Sequence, residues 1–163
     1  MNRAFDALLQ GLAVIAAGLF AAIAVVIAIN VALRNLGLPV LYGALDAIQY
    51  TIMAATFMAA PWVLAQDAHV KVDLVTAGLP DGGRRLLGRI TALIGAVTAA
   101  VLGWYGTLAL WSSITRGAVI RTSFTLPEWI TLVFLPLCMG LCAVVFLRRF
   151  WRPVDSQPSQ SGL

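Results

Sequence analysis

Charge is what this sequence has least of. Of its 163 residues only 11% are Asp, Glu, Lys or Arg, against about 25% in an ordinary soluble domain. Hydrophobic residues make up 61% and the mean hydropathy is +0.91. A water-soluble globule needs more polar surface than this to cover itself. Disordered chains are poor in apolar residues, so disorder is excluded on the same count. The class that remains is an integral membrane protein.

Other shortages narrow the chemistry. There are two cysteines, Cys138 and Cys142, inside one apolar run and not in a CxxC arrangement; no disulfide framework or metal site is indicated. As small residues one helical turn apart, they suit packing. His69 is the single histidine, which removes haem ligation by paired intramembrane histidines. The serines, at 112, 113, 123, 156, 159 and 161, give no Ser-His-Asp grouping with it. No Gly-rich phosphate loop appears. No enzyme and no cofactor site is expected. The net charge of +4 and pI near 9.7 would suit nucleic acid if the basic residues formed a stripe. They sit instead in the gaps between apolar runs, as membrane orientation requires, so no nucleic-acid partner is expected.

Four stretches carry no charge at all: 7–33, 47–66, 90–115 and 129–147. A spanning helix needs about 20 apolar residues to cross about 30 Å of hydrocarbon, and all four qualify. The first is about twice the length of a signal-peptide core and is followed by Arg34-Asn35, with no small-residue cleavage site. It is expected to be retained. The predicted fold is all-α, with four transmembrane helices in one domain over residues 1–152. The Ser/Gln/Pro-rich tail, 153–163, is predicted to be disordered and cytoplasmic.

Counting Lys and Arg sets the orientation. With the N-terminus inside, the inner side holds Arg3, Lys71, Arg84, Arg85, Arg89, Arg148, Arg149 and Arg152, and the outer side Arg34, Arg116 and Arg121. The bias predicts both termini in the cytoplasm. Trp111, Trp129 and Trp151 fall at interfacial depths. The loop 34–46 contains Gly37, Pro39 and Gly43, and the loop 67–89 contains Pro80-Asp81-Gly82-Gly83, where Asp81 is placed to cap the third helix. No internal repeat supports an inverted-repeat transporter.

The most informative shortage is inside the spans. A self-sufficient transporter or proton channel needs ionisable groups near mid-membrane, and none of the four contains an Asp, Glu, Lys, Arg or His. The polar residues cluster at the ends. Asn30 and Arg34 share a face at the end of span one. Asp46 opens span two, with Gln49 and Tyr50 a turn later. An Arg34–Asp46 ion pair across the loop is one expectation; a docking surface for a partner on that side is the other. Asp67 to Leu74 alternates polar and apolar residues, a pattern for an extended interfacial segment or a merely solvated loop. Pro61 and Pro136 free the carbonyls of Phe57 and Leu132. Gly95, Ala99 and Gly103 form a small-residue row suited to close helix contact, and Trp104 and Trp111 share another stripe; either packs within the chain or against a second membrane protein.

Three places then carry a family resemblance: Asn30-Val31-Ala32-Leu33-Arg34, His69-Val70-Lys71-Val72-Asp73 and Leu126-Pro127-Glu128-Trp129. Over residues 5–150 the chain resembles the small membrane subunit, DctQ-type, of tripartite ATP-independent periplasmic (TRAP) transporters. Its second helix departs from the family, which often has two acidic residues there; here Ala44 and Leu45 precede the single Asp46. The resemblance implies a non-catalytic subunit of the bacterial inner membrane. Its partners would be the lipid bilayer, a large multi-span subunit on a separate chain, sodium-coupled and elevator-like, and a periplasmic solute-binding protein, for uptake of carboxylate-type solutes. Asn30, Arg34, Asp46, Gln49, His69, Asp73, Glu128 and Trp129 are its expected partner-docking or interfacial residues. The rivals are an autonomous four-helix transporter or channel, and an assembly subunit of another membrane complex.

Overall fold

The computed structural model describes residues 3–66, 81–123 and 125–151. The segment Asp67–Leu74, with His69 and Asp73, and the tail 153–163 lie outside the described residues.

Helix α1 (Arg3–Asn35) and helix α2 (Ala44–Ala65) are followed by helix α3 (Asp81–Arg116). A short hairpin, β1 (Val119–Arg121) and β2 (Thr125–Pro127), leads into helix α4 (Glu128–Leu132) and helix α5 (Phe134–Trp151). Four helical stretches are long and apolar enough to cross a membrane: Arg3–Asn35, Ala44–Ala65, Leu86–Arg116 and Glu128–Trp151. They match the four charge-free runs but extend beyond most of their ends, because terminal charged residues continue a helix into the polar interface at little cost.

The two prolines act differently. Pro61 is buried within an unbroken α2. Pro136 has no N–H for the carbonyl of Leu132, and regular helix stops there; α5 resumes at Phe134, with Val133 between them still near α-helical angles. The fourth span is therefore two pieces interrupted one turn before its proline.

Contacts run α1 to α2, α2 to α5 and α5 to α3, the last the most extensive. The helices are thus linked in an open series, with α1 and α3 outermost. Helix α3 meets α5 through a heptad of small residues, Ala92, Ala99, Gly106 and Ser113, all buried. Between them Gly95 faces the Phe146 ring and Gly103 the Met139 Cβ. The small-residue row seen in the sequence is therefore spent on packing within the chain. Lipid gives no hydrophobic drive for helix association, so close backbone approach and dispersion must supply it. Cys138, Cys142 and Val145 form the inward stripe of α5, joined by Leu9 and Leu64. Both thiols are free and buried, as expected of packing residues. Much of the remaining apolar surface is uncovered, including Trp104 at 68% and Trp111 at 70% exposure.

Candidate functional site

The polar chemistry sits at the two ends of the helices. At the hairpin end, two helices stop by the same device. Gly37 is left-handed (φ 69°), and Leu38 and Gly37 donate back to the carbonyls of Leu33 and Arg34 at 2.9 and 3.2 Å. Gly117 (φ 59°) ends α3 likewise, with Ala118 and Gly117 donating to Ser113 and Ile114, both at 3.2 Å. Glycine takes this conformation without the Cβ penalty and satisfies the orphan carbonyls of the last turn. Gly43 (φ 71°) turns the chain into α2.

Each carboxylate at this end is engaged inward. Asp46 accepts a hydrogen bond from the backbone N–H of Ser123 at 2.8 Å, with the Ser123 and Thr122 side chains beside it. One side chain at the start of α2 thus holds the hairpin tip, 77 residues on. The Tyr50 hydroxyl lies 3.5 Å from that of Thr122. Glu128 accepts from the Ser113 hydroxyl at 2.8 Å, and its N–H donates to Ala118 at 3.0 Å, extending the hairpin ladder. Ser113, 1% exposed, closes the heptad of α3 with a hydroxyl where the register otherwise places Ala or Gly. Asn30 accepts from the Leu41 N–H at 3.2 Å and ties the α1–α2 connection to α1.

The ion pair expected between Arg34 and Asp46 is not formed. The hairpin brings donors within reach of Asp46, while Arg34 is exposed beyond its turn. Three of the expected residues, Asn30, Asp46 and Glu128, each act as a separate strut at this end. Arg34, Gln49 and Trp129 are exposed around them, and His69 and Asp73 lie outside the described residues. Arg116 and Arg121 are exposed at the same end; Arg116 caps its own helix by donating to the Ser112 carbonyl at 3.1 Å.

The opposite end is joined by two adjacent arginines that the sequence marked only as orientation charges. Arg149 donates to the backbone carbonyl of Leu64 at the end of α2, where carbonyls have no helical partner and the dipole favours a cation. Arg148 lies 3.8 Å above the Phe5 ring and 3.9 Å from Asp6. The Arg148–Asp6 pair is exposed and contributes about 0.2–1 kcal/mol; the Arg149 bond is partly buried and contributes about 1–3 kcal/mol. In detergent, Arg149→Ala should therefore lower the unfolding temperature followed by circular dichroism more than Arg148→Ala. Equal shifts would deny Arg149 its capping role.

Among the described residues no group of His, Cys, Asp and Glu could hold a metal ion. What the site offers is a rigid polar platform on an apolar support. The family model of the tripartite ATP-independent periplasmic transporters, DctQ component, matches residues 23–156. The chain belongs to that family. It is a small membrane component of a TRAP transporter, as the three motifs indicated, and the match covers most of the chain. The curated proteins contain no match to it. Two of the three motifs now have structural roles. In Asn-x-x-x-Arg the asparagine holds the first connection, and in Leu-Pro-Glu-Trp the glutamate locks hairpin to α3. As a DctQ component it belongs to a family of transporter components.

Proposed function

We propose that this subunit is the stationary brace of its transporter in the bacterial inner membrane, a multi-pass protein with both termini in the cytoplasm. It braces a large, sodium-coupled, elevator-type subunit on a separate chain and helps to dock the periplasmic solute-binding protein during uptake of carboxylate-type solutes. The observation that supports this best is the contrast between its middle and its hairpin end. The charge-free middles of the spans hold no Asp, Glu, Lys, Arg or His and the helices are joined in an open series, so they supply apolar surface and stiffness but no ion path. The hairpin end is cross-linked by Asp46, Ser113, Glu128 and Asn30, with both carboxylates turned inward and Arg34, Arg116 and Arg121 outward. A rigid surface with exposed arginine and aromatic side chains suits protein recognition, and its charge would attract an acidic face of the soluble partner.

Affinity purification of the full chain in mild detergent, with mass spectrometry, tests the brace. A large multi-span membrane protein should be recovered at about one to one. Recovery of the chain alone, together with solute movement by it in liposomes, would overturn the proposal.

A further inference from the structure

Because α3 leans on α5 and scarcely meets α2, a cleft of ≈ 350 Å³ opens between α2, α3 and α5. Ala60 and Leu64 form one wall, Thr98, Ala99 and Leu102 the other, and Phe146 part of the floor. Its walls are almost wholly apolar, so water has few partners there. On α3 it runs from Gly95 to Leu102, which at 1.5 Å per residue is about 10 Å, within the roughly 15 Å depth of one leaflet of a 30 Å core. The cleft is therefore as long as part of an acyl chain.

One end of it is cationic. Leu64, in the wall, is the residue whose carbonyl Arg149 holds, and Phe146 lies one turn before Arg149 on α5. Arg89 is exposed on α3 below Ala92. Arg3 and Arg148 stand at the same end, Arg148 beside Phe5 and Asp6. An apolar slot of leaflet depth that opens beside arginines matches a lipid with a negative headgroup. We infer that this cleft is a site for one anionic phospholipid, one of its acyl chains between α2 and α3 and its phosphate at the Arg149 end. Bound there, the lipid fills the gap between two helices that do not otherwise support each other.

Native mass spectrometry of the full chain in mild detergent, with dioleoylphosphatidylglycerol and dioleoylphosphatidylcholine as probes, tests this. One phosphatidylglycerol should stay bound per chain, at least roughly tenfold more than phosphatidylcholine. Leu102→Trp should cut that adduct severalfold by filling the cleft, whereas Ile94→Trp, outside the lining, should leave it unchanged. Arg149→Gln should reduce the preference for phosphatidylglycerol, and Arg89→Gln provides the same test should the first variant fail to fold. Inorganic phosphate, which offers charge without a chain, should not displace the lipid. Equal retention of both lipids, displacement by phosphate, indifference to Leu102→Trp, or a dimer formed in place of the lipid adduct would each overturn the inference.

Discussion

Gly95→Leu should strongly destabilise the α3–α5 pair, and Phe146→Ala in the same chain should restore much of the loss. A Cβ at residue 95 would lie 2.5–2.8 Å from three atoms of the Phe146 ring, well inside contact distance. The ring must move for any side chain to fit, and a leucine adds three more carbons. Overpacking of this kind costs about 1–3 kcal/mol. Here the effect should approach the upper figure, since α5 is the principal neighbour of α3. Removing the ring opens the space that leucine needs, so the double variant should be more stable than the sum of the single changes predicts. Thermal unfolding in detergent, read by circular dichroism, gives all four corners of the cycle. Strict additivity would show that Gly95 and Phe146 do not meet. At Gly106 the corresponding Cβ would lie 3.1 Å from the Leu135 side chain, so the fit is tight there as well.

Asp46→Ala should free the hairpin tip without unfolding the helices. The change leaves the Ser123 N–H without its acceptor at the point where α2 holds the β1–β2 turn. Amide hydrogen exchange at Ser123 should rise by roughly tenfold or more, because the lost acceptor is a charged group. Exchange in the helix interiors should stay as it was. If docking uses the surface that this clamp presents, uptake by the reconstituted transporter should fall as well. Arg34→Glu separates the two effects. Arg34 does not bond Asp46, so its reversal should leave Ser123 exchange unchanged, and a loss of uptake would then report on docking alone. Unchanged exchange in Asp46→Ala would remove the clamp; unchanged uptake in Arg34→Glu would remove Arg34 from the docking surface.

Both results turn on contacts that no local pattern reveals. Asp46 was visible as a lone carboxylate opening a span, and Arg34 was the nearest opposite charge in the sequence. The donor that it uses is 77 residues away, in a hairpin of three-residue strands. Strands this short carry little periodic signal, and Thr122-Ser123 reads as an ordinary polar turn. Ser113 was weighed only as a possible nucleophile. Its place as the fourth member of a small-residue heptad was legible in principle, but not that Glu128 would come to meet it. Arg148 and Arg149 counted equally as orientation charges, and only packing made one a helix cap and the other an exposed pair.

What the sequence determined by itself follows from solvent. Four long charge-free runs leave no alternative to four helices, because in hydrocarbon every backbone N–H and C=O must be satisfied within its own segment. That requirement is local, so it can be read without knowing neighbours. The glycines that stop α1 and α3, and the interruption before Pro136, are local for the same reason. The order α1–α2–α5–α3, the cleft beside α2 and the clamp on the hairpin are not. They depend on which small faces come together, and in a membrane apolar surface alone cannot choose, since lipid covers it as well as another helix does. Only the tertiary structure, through close fits such as Gly95 on Phe146 and single hydrogen bonds such as Ser123 to Asp46, made that choice.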